Sequence, residues 1–378
     1  MCPRVFPSGF VDRRAGAAKN VVQEAVLTVI DKTRKAMSES ILSVIFSVIL
    51  LSNLSIASTP PEPPQQFATF KECRLISGQV IKPCRIGYRT YGTLNDDKSN
   101  ALLVPTWFTG TSAGHAYLAS PDLLSPEKYF IVIVDALANG VSISPSNSKT
   151  QPDGQFPQIT ITDMVESQHR LLTETLGIQS LHGVVGLSMG GMQAFEWAVR
   201  YPGFADRAVA AIGSPRLPSF DIALWTTQNR LLALYRECHC KEALEAMAGM
   251  RMLTSVPTKL EQDVPREDTV STIISRSETN PMSVAASWDR QRQAEAMISH
   301  NIARDFNNDL QKAAAQIKTK FLIVVGEDDR VVTPEPAREL AAMIGATVLE
   351  LDEDCGHGDP WCAPDAFAQA VSSFINKD

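Results

Sequence analysis

The sequence LHGVVGLSMGGMQAFEWAVR, residues 181–200, decides the fold. It opens with a short apolar run and closes with Met192–Arg200, which is helical in character, so it predicts a strand followed by a helix. The junction is a G-x-S-x-G motif that runs from Gly186 to Gly190, with Ser188 at its centre. Glycine is required there because side chains in so tight a turn would collide with neighbouring backbone. The turn therefore presents the Ser188 hydroxyl above the sheet, and a plain glycine-rich turn is the less favoured interpretation.

The same alternation of strand and helix continues on both sides of this turn. One predicted helix is capped by Thr162 or Asp163 and ends at Gly177, and another is capped by Thr333 and ends at Gly345. Most of the predicted strands are continuously hydrophobic, as are strands that are covered on both faces of a parallel sheet. These strands are Ala101–Pro105, Phe130–Val134, Leu181–Gly186, Arg207–Ile212, Phe321–Val325 and Thr347–Leu351. The pattern predicts a mostly parallel, doubly wound α/β sheet.

Residues 216–300 interrupt the alternation, because they are helical in character, rich in Leu and Met, and without a convincing strand. We expect them to form a helical cap over the carboxyl edge of the sheet, where ligands bind in open α/β sheets. The core is then predicted as 67–215 and 301–378. It closes with a helix whose apolar face is formed by Phe367, Ala370, Val371, Phe374 and Ile375.

The first part of the chain is predicted to lie outside this core. Ile41–Leu51 is apolar but too short to span a bilayer as a helix, basic residues precede it, and small residues up to Ala57 offer a cleavage site. Residues 1–57 are therefore expected to be an N-terminal extension with a signal peptide around 37–57, Met37 being a plausible start. Residues 58–66 predict a proline-rich linker. The expected location is periplasmic or secreted, and an uncleaved membrane anchor is the alternative.

The cysteines fit an oxidising compartment. Without Cys2 an even number remains, and Cys73/Cys84 and Cys355/Cys362 could form local disulfides, although sequence leaves the connectivity open. Cys238-His-Cys240 has only one residue between its thiols, whereas zinc-binding pairs usually have at least two. No metal or organic cofactor is therefore expected.

A serine hydroxyl becomes nucleophilic only when a base takes its proton. His357 follows the last predicted strand and is the best candidate, while His115, after a glycine-rich loop, is the serious rival. The acid is expected after the strand Phe321–Val325, because the order of such triads is serine, acid, histidine. Asp329 is preferred, with a glycine three residues before it and a proline shortly after, and Asp328 is the alternative.

Acyl chemistry also needs two backbone amides that stabilise the oxyanion. One should be that of Met189, directly after the nucleophile. The other is assigned to Phe108, in the loop that follows the strand Ala101–Pro105. A plain turn is the alternative interpretation of this loop, because backbone donors leave a weak trace in sequence.

At these residues the chain resembles the homoserine O-acetyltransferase-like branch of the α/β-hydrolases. The likeness covers 67–378 and is densest over 156–168, 171–178 and 186–202. The resemblance implies the α/β-hydrolase fold and a ping-pong cycle in which Ser188 becomes acylated, with Asp329 and His357 completing the triad. It also implies that the chain could form a homodimer through its cap.

The chain departs from the acetyltransferases in ways that favour hydrolysis. They carry an aspartate directly after the catalytic histidine, where this chain has Gly358, with Asp359 one step on. Their oxyanion loop is replaced by Thr106–Gly110, and an exported enzyme would not meet acetyl-CoA. We therefore predict an exported hydrolase of small or medium acyl esters.

Two other function classes stay open: an acyltransferase that uses acetyl-CoA and homoserine or another alcohol, and a catalytically inactive binding protein on the same fold. The net charge of −7 argues against nucleic acid or an anionic membrane as partner, so a small molecule is expected. Specificity is assigned to the Met-rich cap, and the candidate pocket residues are Trp107, Trp225 and Trp288.

Overall fold

The computed structural model describes residues 62–279 and 282–377. Its main sheet has eight strands in the order β1-β4-β6-β5-β7-β8-β9-β10, and β2 and β3 form a separate small sheet. The strands are β1 (Gln66–Phe70), β2 (Cys73–Arg74), β3 (Val80–Ile81), β4 (Cys84–Tyr91), β5 (Ala101–Pro105), β6 (Phe130–Val134), β7 (Leu181–Leu187), β8 (Ala205–Ala211), β9 (Lys320–Gly326) and β10 (Thr347–Leu351). The sheet is parallel from β6 to β10, whereas β1 and β4 pair antiparallel at one edge.

The helices of the core follow the sequence pattern with two corrections. They are α1 (Ile161–Arg170), α2 (Met189–Arg200), α8 (Leu310–Ala314), α9 (Glu335–Ile344), α10 (Asp359–Cys362) and α11 (Pro364–Ile375). Thr162 and Asp163 do not cap α1: Thr160 does, because its hydroxyl accepts from the Asp163 amide while the Asp163 carboxylate accepts from the Thr160 amide. Thr333 is likewise not the cap of α9, which begins one residue after Pro334 and ends at Gly345 as predicted.

Two hydrophobic cores cover the faces of the sheet. One lies beneath α1, α2 and α9, and the other beneath α11, whose Phe367, Val371, Phe374 and Ile375 are buried. Ala370, also predicted for this face, is only partly buried. Full burial of each large apolar side chain is worth about 1.5–3 kcal/mol, so this packing holds the strand ends that carry the site.

The segment between β8 and β9 consists largely of helices. They are α3 (Ser219–Cys238), α4 (Lys241–Leu253), α5 (Pro257–Asp263), α6 (Thr269–Thr279) and α7 (Val284–Ile298). In the described parts of 216–300 there is no strand, which agrees with the helical character of the sequence. We call 216–300 the cap segment below.

Three disulfides link the described cysteines: Cys73–Cys84, Cys355–Cys362 and Cys238–Cys240. The first two pairs are those predicted, and the third joins the end of α3 to the start of α4, so its thiols are not free to bind a metal. The predicted signal peptide lies outside the described residues, as does the first part of the predicted linker. None of the helices in the described ranges is long and apolar enough to cross a membrane.

Candidate active site

The nucleophile turn joins β7 to α2. Ser188 has φ 56° and ψ −122°, a conformation that side-chain-bearing residues rarely adopt, and its amide donates to the Ala211 carbonyl at 2.8 Å. A Cβ on Gly186 would lie 2.0 Å from the Gly190 carbonyl oxygen, and one on Gly190 would lie 2.5 Å from that of Pro105. Both glycines of the motif are therefore sterically required, as the sequence predicts.

Ser188, His357 and Asp329 form one hydrogen-bonded row. His357 Nε2 lies 3.0 Å from Ser188 Oγ, and His357 Nδ1 lies 2.7 Å from Asp329 Oδ2. A carboxylate can only accept, so Nδ1 carries the proton and Nε2 is left with its lone pair toward the serine hydroxyl. This is the tautomer in which a histidine can take the serine proton.

The acid of this row is fixed by two further hydrogen bonds. Asp329 Oδ1 accepts from the amides of Val331 at 2.8 Å and Val332 at 3.0 Å, and the side chain is buried. The adjacent Glu327 and Asp328 are exposed. The structure thus brings Asp329 to His357, and not Asp328, the alternative that the sequence left open.

The rival histidine has a different position. His115 is buried, its Nδ1 donates to the Thr111 carbonyl at 2.9 Å, and its Nε2 accepts from the Trp107 amide at 3.2 Å. Burial lowers the pKa of His115 to about 4, so the ring is neutral at pH 7 and can accept this bond. His115 therefore shapes the loop after β5 and does not face Ser188.

Almost all backbone amides of the loop after β5 donate a hydrogen bond to an acceptor in the protein. Those of Trp107, Thr109 and Gly110 donate to His115 Nε2, to Gln293 Oε1 at 2.7 Å and to the Trp107 carbonyl, respectively. The Phe108 amide has no acceptor among the described residues. Met189 is the first residue of α2, where amides have no partner inside the helix. Phe108 and Met189, the two predicted donors, therefore both have amides without an acceptor among the described residues.

Residues 102–364 match the family model described as the alpha/beta hydrolase fold. The chain belongs to the α/β-hydrolase family. The predicted fold class is thereby confirmed, and the prediction of an α/β-hydrolase-fold enzyme is confirmed at the level of this family.

Relatives of this α/β hydrolase include both hydrolases and acyltransferases. It is 45% identical over 150 residues to an ethyl acetate hydrolase from Pseudomonas veronii, covering 39% of this chain and 43% of that protein. It is 27% identical over 367 residues to a homoserine O-succinyltransferase from Methylibium petroleiphilum, covering 83% and 92%. The structure of the acetyl esterase MekB superposes with a TM-score of 0.74 at 28% identity, over 84% of this chain and 98% of that one. The resemblance to the homoserine acyltransferase-like branch is thus confirmed, although the chain spans less than half of the first of these relatives.

A row of buried amide side chains, which the sequence reasoning missed, supports the loop after β5 that carries Phe108. Gln193, on α2, donates to the carbonyls of Thr106 and Met189, each at 3.0 Å. Gln168 in turn donates to Gln193 at 2.6 Å and accepts from the indole of Trp197 at 2.8 Å. The available signal was a glutamine within the largely apolar run of α2, because a buried amide needs partners.

Gln293 connects the cap segment to the same loop. It is fully buried on α7, accepts from the Thr109 amide and donates to the Leu137 carbonyl at 3.1 Å. Thr109 directly follows Phe108, so a residue of the cap segment holds the peptide next to a predicted oxyanion donor.

A cavity of about 430 Å³ lies next to the residues that support the hydrogen-bonded row. None of Ser188, His357 and Asp329 lines it, but Phe108 and Val331 do, and the Val331 amide donates to Asp329. The remaining walls come mainly from the cap segment: Leu224, Trp225, Gln228, Met250, Arg251, Thr254 and Arg290. Of the three predicted pocket tryptophans, Trp225 lines this cavity, whereas Trp107 packs on His115 and Trp288 lies beneath Arg236.

The aspartate near the catalytic histidine anchors the loop that carries it. Asp359 is buried, and its Oδ1 accepts from the Cys355 amide at 3.0 Å. Burial raises the pKa of this carboxyl group. Its contacts are with the His357 loop and with Gly326 at the end of β9, so Asp359 is a support of this loop and is not among the residues that line the cavity.

Proposed function

We propose that the protein is a serine esterase that hydrolyses small or medium acyl esters through an acyl-Ser188 intermediate. One observation carries the proposal: Asp329, His357 and Ser188 are hydrogen-bonded in order, in the tautomer that activates the serine. The Phe108 amide, which has no acceptor in the described part of the chain, supplies the complementary donor.

The proposed cycle begins when His357 Nε2 takes the hydroxyl proton as Ser188 Oγ attacks the ester carbonyl. The Phe108 and Met189 amides donate to the oxyanion of the tetrahedral intermediate. Collapse breaks the bond to the alkoxy group, which leaves as the alcohol with the proton from His357. Water then attacks the acyl-serine, gives its proton to His357, and the acid is released as Ser188 is restored. Asp329 stays ionised and stabilises the imidazolium.

Water is the favoured acceptor for two reasons. The relatives include an ethyl acetate hydrolase and an acetyl esterase, both named for hydrolysis. This chain also has Gly358 where the acetyltransferases that it resembles carry an aspartate, and the nearby Asp359 is bound to the Cys355 amide. Asp359 is thus not available to orient an amino-alcohol acceptor.

Acyl transfer to an alcohol is the second candidate function. It is favoured by the homoserine O-succinyltransferase, which aligns over most of both chains. The two candidates differ in how the acyl-enzyme partitions: in a transferase a dilute alcohol acceptor would divert most acyl groups to a new ester, whereas in an esterase the free acid would stay the main product. The binding-protein alternative has the least support, because the activated tautomer would serve no purpose in it.

We also propose that the protein is exported and that residues 216–300 act as a cap over the site. Three disulfides among the described cysteines support an oxidising compartment. N-terminal sequencing of the mature chain from a periplasmic fraction tests the predicted cleavage after Ala57. Light scattering of the same material tests the homodimer, which stays a prediction.

The first test of the proposed function is intact-mass detection of a fluorophosphonate adduct, with Ser188→Ala as control. The reagent reports a serine whose proton is already drawn to a neighbouring base. We expect one adduct, absent in the variant, together with hydrolysis of 4-nitrophenyl acetate. Absence of an adduct on folded protein would overturn the triad assignment and favour the binding-protein alternative.

A further inference from the structure

The cavity beside the catalytic row contains two arginines from different helices of the cap segment. Arg251 lies near the end of α4 and Arg290 lies in α7, and both line the space that begins at Phe108. At about 430 Å³ the cavity falls in the usual range for small-molecule sites and is larger than an acetyl group needs. Part of the substrate other than the reacting acetyl-sized unit can therefore occupy it.

Neither guanidinium group has an acidic partner or a hydrogen-bond acceptor among the described residues. Two other arginines of the same segment show what a structural arginine looks like here. Arg292 pairs with Glu295 at 2.8 Å and donates to the Phe156 carbonyl, and Arg236 donates to Ser287 and stacks on an indole. Arg236 and Arg292 are thus satisfied by protein groups. Arg251 and Arg290 lack such partners within the described ranges, as does the exposed Arg266, but they differ from Arg266 in lining the cavity.

The charges around the pair are of the same sign. Desolvation lowers the pKa of Arg290 and of Arg251, although Arg251 keeps an exposed face. Repulsion lowers the pKa values further, since Arg251 acts on Arg290 and Arg276 acts on Arg251. Arg251 is exposed, so solvent screens part of this repulsion, and an anion bound in the cavity would offset the rest.

We propose that this cavity binds a carboxylate carried by the ester substrate, held by Arg251 and Arg290. A guanidinium fork matches the two oxygens of a carboxylate, and two forks from different helices can hold it on both sides. The apolar wall formed by Trp225, Leu224 and Met250 would contact the carbon chain between the carboxylate and the ester. This substrate class, anionic hemiesters or esters of hydroxy acids, rests on the proposed esterase function.

The test compares matched pairs of anionic and neutral esters. A carboxylate on the acyl side is probed with 4-nitrophenyl hemiglutarate against 4-nitrophenyl pentanoate, and one on the alcohol side with acetoxyacetate against ethyl acetate. We expect kcat/KM to favour the anionic member of one pair, and that pair identifies which side of the ester enters the cavity. Arg290→Gln and Arg251→Gln should each lower this preference about 10–100-fold, while hydrolysis of the neutral ester changes little.

Arg266→Gln is the matched control, because Arg266 is an exposed arginine of the cap segment that does not line the cavity. It should leave the preference unchanged. Arg290→Glu provides an independent readout, since it should shift the preference toward the neutral ester and abolish inhibition by free glutarate.

Different experimental results would overturn the esterase function and the carboxylate site. If neutral esters are hydrolysed but no anionic ester is preferred, and the arginine variants behave like Arg266→Gln, the carboxylate site is overturned and the esterase stands. If no fluorophosphonate adduct forms, the esterase fails, and quenching of tryptophan fluorescence by glutarate, lost in Arg290→Gln, still decides the anion site.

Discussion

Polar groups at the carboxyl ends of the strands have hydrogen-bond partners in the protein, whereas the arginines in the cavity lined by the cap segment have none in the described part of the chain. At the strand ends, each group of the proposed triad is held by protein: Asp329 accepts three hydrogen bonds, and His357 is bound on both ring nitrogens. In the cavity, Arg251 and Arg290 have no protein partner among the described residues. The groups proposed to act in catalysis are thus preorganised by the fold, while the arginines proposed to bind a carboxylate are left for the substrate to satisfy.

The largest effect is expected from Asp329→Asn. The amide would favour the wrong imidazole tautomer and could not stabilise the imidazolium, so kcat should fall by about 10⁴-fold. Asp328→Asn is the matched control, because that carboxylate is adjacent in sequence but exposed. It should change kcat less than about twofold. Equal losses in the two variants, measured with 4-nitrophenyl acetate, would refute the idea that only the buried carboxylate is preorganised.

A smaller effect is expected where the two regions meet. Gln293→Leu removes the acceptor of the Thr109 amide and should displace the neighbouring Phe108 donor. Since loss of one oxyanion donor costs about 10²–10³-fold in kcat, a displaced donor should cost about 10–100-fold. Gln291→Leu, in the same helix but bonded to Glu295, should alter stability and leave kcat unchanged. Unaltered kcat in Gln293→Leu would mean that the cap segment does not support the oxyanion loop.

The two regions can also be compared by removing one disulfide from each and measuring the free energy of unfolding. The Cys355–Cys362 bond closes a loop that contains His357. Replacing both cysteines by serine should lower the free energy of unfolding by about 2 kcal/mol and lower kcat as well. The Cys238–Cys240 bond in the cap segment spans a sequence separation of only 2, so its removal should cost less stability and no kcat. Chemical denaturation and ester hydrolysis on both variants distinguish these outcomes.

The smallest effect concerns Asp221, which lies on α3 and accepts from the Thr333 amide at 3.0 Å. Burial is the main cause that raises its pKa to about 6. Its contribution to stability is therefore full below pH ~4, the pKa range of an unfolded aspartate, and is lost as pH rises through about 6. The asparagine of Asp221→Asn does not titrate. Between pH 4 and pH 8 the free energy of unfolding of this variant should therefore rise by about 1–2 kcal/mol relative to that of the unmodified protein. A pH-independent difference in unfolding free energy would contradict this assignment.

The features predicted correctly from the sequence are those that depend on a local pattern of residues. The six parallel strands were found within two residues of their observed bounds, because strands buried on both faces are largely apolar. The exception in burial is β10, the edge strand, which is mostly exposed. The positions of Ser188, His357 and Asp329 followed from a motif and from chain order. Strands β1 to β4 were missed because they are short or half-exposed, as in β4, where polar side chains such as Arg85 and Arg89 interrupt the apolar pattern.

The features that could not be predicted are contacts between residues that are far apart in sequence. The Thr109–Gln293 hydrogen bond spans a separation of 184 residues, and nothing local to either residue indicates it. The convergence of Arg251 and Arg290 likewise depends on how α4 and α7 pack. The helix caps were misjudged for a different reason: Thr160, Thr162 and Asp163 are all suitable cap residues, and only the backbone decides among them.

The hydrogen bond between Gln293 and the loop after β5 also bears on protein engineering. Helical inserts of α/β folds are natural units for exchange between relatives in order to change substrate preference. In this protein such a graft would import a new pocket and at the same time remove the support of the peptide beside Phe108. Chimeras should therefore retain Gln293, or move the 106–110 loop together with the insert, if they are to keep turnover while acquiring a new preference.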